Sequence, residues 1–171
     1  MAGQDKTRRV NNEAQQIINE LGLEALPTEG GYYRRTWTGP ASSKNNPRPI
    51  GTAITFLITP SEFSALHRLE TDEVWHFYAG DPVELVQLDA TNQTTRKDIL
   101  GSDIAASQLP QIVVRAGMWQ GARVAAENQG WALLGCTMSP GWAEREFTLG
   151  NRESLLKIFP HAAAEIHGLT R

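Results

Sequence analysis

The sequence predicts an all-β fold flanked by helix at each end, and three observations carry that expectation. Most of 32–138 alternates apolar and polar residues over short runs. Clusters of Gly, Pro, Asn and Asp, such as "TGPASSKNNPRP" and "AGDP", separate those runs. Helical spacing of apolar residues is confined to the stretch before Gly22 and the tail from Asn151.

The first helix starts in "NNEAQQIINELGL", where Asn11 or Asn12 can cap the orphan amides of the first turn and Gly22 can stop it. Ala14, Ile17, Ile18 and Leu21 then form one apolar stripe, so this helix is a lid or a brace. After "LPTEGG", where Gly30 and Gly31 can supply a tight turn, the period changes to that of strands. The candidate strands are "YYRRTW", "TAITFLIT", "FSALHRL", "EVWHFYA", "VELVQLD", "QIVVR", "ARVAA" and "WALLGCTM". Short strands in this number and spacing suggest a sandwich or barrel. In "NRESLLKIFPHAAAEIHGLTR" the apolar residues Leu155, Leu156 and Phe159 return to helical spacing, interrupted by Pro160.

A chain of 171 residues suits a single domain over 1–171, with 1–10 expected to be a flexible lead-in. A net charge of −3, with sixteen scattered basic residues, gives no electrostatic footprint for nucleic acid. Cys136 is the single cysteine and sits in an apolar run, so no disulfide framework forms within the chain. The first residues lack an apolar signal core and no stretch reaches membrane-spanning length, so the expected location is the cytoplasm, with no membrane partner.

The chemistry gathers in "LHRLETDEVWHFYAGDP". Side chains of a strand alternate between faces, so Ala65, His67 and Leu69 share one face, and Glu73, Trp75 and Phe77 share a face of the next strand. If the turn between them makes a hairpin with both faces turned inward, His67 and Glu73 meet. An imidazole beside a carboxylate in a semi-dry pocket is a general acid/base pair or half of a metal site. Parity puts His76 on the opposite face, as a packing or dimer-interface residue, unless a bulge turns it inward.

His67, Leu69, Glu73 and Gly80 resemble the first cupin motif, in which His-x-His, Glu and Gly occupy those positions. "RAGMWQ" is similar to the second motif, with Gln120 in place of its His. Two of the four family metal ligands are therefore replaced, by Leu69 and Gln120. "TEGGYYRRTW", "DEVWHFYAGDP", "GWALLGCTMSPGW", "FTLG" and "FPHAAAEIHGLT" further resemble the cupin branch of sugar-epimerase-like (RmlC-like) proteins. Thr28 departs from that branch, which often carries His before "EGG".

The resemblance implies a double-stranded β-helix, a jelly-roll barrel, and a homodimer. It also implies a small-molecule ligand, for which a sugar nucleotide is one candidate. His67 would be the general base and Glu73 its orienting partner or a second acid. Tyr33 and Arg35 share a face of their strand and could clamp an anionic group. Trp75, Phe77 and Trp119 could wall a ring-shaped ligand, and Gln120 could bond a hydroxyl or carbonyl. No cofactor is expected, although His67 and Glu73 could hold a divalent metal weakly. Two alternatives stand beside the epimerase: a metal-dependent cupin with a reduced ligand set, and a barrel that binds a ligand without reaction.

Overall fold

Helix α1 (Asn12–Leu21) begins where Asn11 accepts from the Ala14 amide at 2.8 Å and ends at Gly22, whose left-handed backbone (φ 60°) returns its amide to the last turn. Both sequence signals therefore act as expected. The computed structural model describes residues 11–171, so the expectation of a flexible lead-in over 1–10 lies outside them.

Thirteen strands follow among the described residues. They are β1 (Glu24–Ala25), β2 (Tyr32–Thr38), β3 (Ala41–Ser43), β4 (Asn46–Pro49), β5 (Thr52–Ile58), β6 (Ser64–Leu69), β7 (Glu73–Gly80), β8 (Val83–Asp89), β9 (Thr94–Leu100), β10 (Gln111–Val114), β11 (Trp119–Val124), β12 (Ala132–Met138) and β13 (Phe147–Leu149). Helices α2 (Arg152–Ile158) and α3 (Ala163–Gly168) close the chain, separated by a 3-10 turn at Pro160–Ala162. The predicted interruption at Pro160 is thus present.

The strands form a six-stranded sheet in the order β1-β2-β5-β12-β7-β10 and a five-stranded sheet in the order β13-β6-β11-β8-β9, with β3-β4 as a separate hairpin. Two facing sheets are the sandwich form of a jelly roll. Between them lies a core of Phe56, Ile58, Trp75, Val83, Leu85, Ala132 and Leu134. On the outer face of the five-stranded sheet, Leu66, Val86, Leu88 and Trp119 are covered by Leu155, Phe159, Ile166 and Leu169 of the C-terminal helices. Helix α1 covers the other sheet near Leu57 and Trp131 through Ala14 and Ile18, which makes it a brace.

Five strands were not expected. β9 is an edge strand whose sequence "TTRKDIL" carries the charges that edges need to resist pairing, which hides its alternation. β3 and β4 fall inside the cluster read as turn, and β1 and β13 span only two and three residues. β11 begins at Trp119, three residues earlier than "ARVAA", because Gly121 reads as a breaker.

Candidate functional site

β6 and β7 are not a hairpin. β6 pairs with β11 and β13, whereas β7 pairs with β12 and β10, so the turn at 70–72 crosses from one sheet to the other. His67 and Glu73 nevertheless reach one cavity, from facing walls. The cavity has a volume of about 500 Å³, within the usual range for small-molecule sites. Its buried end is formed by His67, Glu73, Leu69, Cys136, Met138 and Thr52, and its solvent side by Arg35, Glu144 and Thr28.

His67 is 2% exposed and its Nδ1 lies 2.9 Å from the Ala65 carbonyl. A carbonyl only accepts, so the neutral ring carries its proton on Nδ1 and presents a lone pair at Nε2. The Phe147 ring stacks on the imidazole, with centroids 5.4 Å apart. Glu29 Oε1 stands 3.9 Å from Nδ1 and accepts from the Ser64 hydroxyl.

On the opposite wall, Glu73 Oε2 accepts from Gln120 Nε2 at 2.8 Å, while Gln120 Oε1 accepts from Trp75 Nε1 at 2.8 Å. Burial pushes the Glu73 carboxyl up to about 7, the nearby His67 opposes that rise, and the Glu29 charge adds to it. Close to neutrality this carboxyl can therefore give or take a proton. Cys136 lies beside it, and burial first, then the Glu73 and Glu29 carboxylates, push its thiol well above the usual range. That direction favours the protonated thiol over the nucleophilic thiolate.

Four of the eight candidate residues line the cavity: His67, Glu73, Tyr33 and Arg35. The Arg35 guanidinium sits 5.3 Å over the Trp142 ring at the solvent side. Trp75 and Phe77 belong to the packed core instead, and Gln120 is buried behind Glu73 as a bridge to Trp75. Trp119 faces the other way. Its neighbour Gln120 points inward, so alternation turns Trp119 onto the outer face among the C-terminal helices, beneath Arg68.

His76 lies on the outer face, as parity requires. Its Nε2 donates to Thr137 Oγ1 at 3.0 Å, its Nδ1 accepts from Gln111 at 3.2 Å, and its ring stacks on Tyr78. Burial lowers its pKa. β7 does contain a bulge, but at Tyr78, one turn of the pleat too late to redirect His76. Glu29, Trp142, Glu144 and Phe147 line the cavity without having been singled out. Glu29 and Trp142 lie in loops, Glu144 in a short 3-10 turn (Glu144–Glu146) and Phe147 in a three-residue strand, none of them long enough for a period to be read.

A cavity held between the two sheets of a jelly roll, with His and Glu on facing walls, is the arrangement that the motif remnants imply. The family described as "Cupin superfamily (DUF985)" matches residues 15–150. The chain belongs to the cupin superfamily. A hypothetical protein from Leishmania major is 31% identical to this cupin at a TM-score of 0.82, covering 92% of this chain and 98% of that one. A protein from Shewanella oneidensis is 32% identical at a TM-score of 0.84, covering 92% and 97%. Bacillus subtilis oxalate decarboxylase shares the fold at 16% identity and a TM-score of 0.54, over 85% of this cupin and 36% of that chain. No curated protein matches.

Cupin membership raises the question of a metal. Leu69 offers no donor, and Gln120 spends both ends of its amide on Glu73 and Trp75. Among the described residues no group of three or more His, Cys, Asp or Glu side chains is placed to hold an ion. This donor set does not fit a resident transition metal. No helix among the described residues is long and apolar enough to cross a membrane.

Proposed function

We propose that this cupin binds a small polar carbonyl compound, such as a sugar, and moves a proton on the carbon beside the carbonyl, as an epimerase or isomerase does. The observation that carries the reading is the placement of two proton-exchanging groups on facing walls of one cavity: His67 from the five-stranded sheet and Glu73 from the six-stranded sheet. With Nδ1 committed to the Ala65 carbonyl, Nε2 is the atom that takes the proton. Glu73, poised near neutrality by burial, returns one from the other side.

Charge supports a free sugar over a sugar nucleotide. Arg35 is the one Lys or Arg among the cavity-lining residues, against the carboxyls of Glu29, Glu73 and Glu144. A diphosphate would meet a single guanidinium and three acidic groups, whereas a hydroxyl-rich ligand can donate to a solvent-side carboxylate such as Glu144. A cytoplasmic location belongs to the same proposal, and the free, buried thiol of Cys136 agrees with it.

Deuterium wash-in tests the reading. The protein is incubated in D₂O with free hexoses, hexose phosphates and a nucleoside-diphosphate 4-keto-hexose, and loss of the proton beside the carbonyl is followed by NMR. Exchange into a free sugar is expected. Binding of a probe, seen as a thermal shift, with no exchange into any of them would make the protein a binding barrel instead.

A further inference from the structure

Glu29 has no part in the reaction as described so far, yet it is held with unusual care. Its side chain is 14% exposed, its Oε1 lies 3.9 Å from His67 Nδ1, and the Ser64 hydroxyl donates to that same oxygen at 2.5 Å. Its backbone carbonyl accepts from the Ala65 amide at 2.9 Å and from the Arg171 guanidinium at 2.7 Å. The two residues after it are Gly30 and Gly31, at φ 102° and 75°, and a Cβ on Gly31 would come within 2.7 Å of the Phe56 ring. Turn, backbone and side chain together fix this carboxyl beside the imidazole. At 3.9 Å the contact is electrostatic, since the Nδ1 proton goes to Ala65.

Resting on the proton-transfer reading, we propose that Glu29 is the positioning carboxylate of His67: it supplies the counter-charge for the imidazolium formed when Nε2 takes a proton from the ligand. In that step the C–H bond breaks, its electron pair forms the C=C bond of an enolate, and the carbonyl pair moves onto oxygen. Glu73 then gives its proton to the opposite face of the carbon and the carbonyl re-forms. Solvent carries the proton from His67 back to Glu73. While Glu73 still holds its proton, Glu29 is the one carboxylate within 4.0 Å of the His67 ring nitrogens among the described residues. Without it the step would create a buried cation lacking a partner, which is costly.

The test uses the sugar that exchanges fastest in the wash-in assay and compares Glu29→Gln and Glu29→Asp with the wild type. Glu29→Gln is expected to lower kcat by about tenfold or more, within the range a proton-transfer group contributes, while KM stays within about twofold. Glu29→Asp should recover part of kcat, because the charge returns at a longer distance. Unchanged kcat in Glu29→Gln overturns the inference and leaves the reading of the site intact. So does a raised KM at normal kcat, which would make Glu29 a ligand contact, or an aspartate no better than the glutamine. If Glu29→Gln does not fold, Ser64→Ala removes only the hydroxyl that holds Glu29: a several-fold loss of kcat at constant KM is expected, and none overturns the inference. A wild type inert toward the whole panel overturns the proton-transfer reading and this inference with it.

Discussion

The two ends of the sandwich share the same inward faces and treat them in opposite ways. Along β5, Phe56 and Ile58 fill the space between the sheets, whereas Thr52 and Ile54 of the same face border a cavity. Along β12, Ala132 and Leu134 pack while Cys136 and Met138 stand at the cavity wall, and along β7 Trp75 packs while Glu73 does not. Period-two alternation therefore tells which face of a strand turns inward. It does not tell whether that face is filled or hollow, which depends on residue volume and polarity on both sheets together.

The sharpest way to break this comparison is to damage the packed end. Phe56 is 1% exposed and meets Trp75 edge-on with centroids 6.0 Å apart, so Phe56→Ala should cost about 3–5 kcal/mol in denaturant unfolding. A loss under 1 kcal/mol would mean that this end is as loosely built as the other.

At the hollow end the expected effect is smaller and depends on pH. The folded state holds the Glu73 proton more tightly than the unfolded chain does, so its contribution is complete below the ordinary value of 4.5 and is lost as pH rises through about 7. Stability should fall across that window by an amount on the order of 3 kcal/mol. Glu73→Gln should flatten that dependence and leave the variant more stable than the wild type above pH 7. An unchanged pH profile in Glu73→Gln would show that Glu73 is not the buried acid.

The outer face provides the contrast to both. His76→Asn removes hydrogen bonds to Thr137 and Gln111, so a loss of about 1 kcal/mol is expected, with ligand affinity unchanged. Lost affinity would mean that the outer face communicates with the cavity. The smallest effect concerns assembly. Among the described residues β1 pairs with only Tyr32 and Tyr33, and no strand of theirs pairs with the β2 edge from Arg34 onward; we propose that a second copy pairs there to give a homodimer. Light scattering at micromolar concentration should give twice the chain mass, and a monomer would contradict the proposal.

What was legible in the sequence follows the same physics. His67, Glu73 and the outward His76 could be placed because each lies in a long strand where parity is unambiguous. Trp119 and Gln120 could not both face the cavity, since they are adjacent in a strand, but the start of β11 was masked by Gly121. Gln120 did turn inward, only to be consumed by Glu73 and Trp75. Glu29, Trp142 and Phe147 reach the cavity through the path of the backbone rather than through any period, and a sequence carries little trace of that path.

The most direct measurement is deuterium wash-in by His67→Asn beside the wild type, with the melting temperature of each recorded. Asparagine keeps some of the volume and hydrogen bonding of His67 while removing its titratable nitrogen. The account predicts a folded variant whose melting temperature lies within a few degrees of the wild type and whose exchange rate falls by about a hundredfold or more. A variant that melts far earlier, with exchange intact in its folded fraction, would contradict it and make His67 a core histidine.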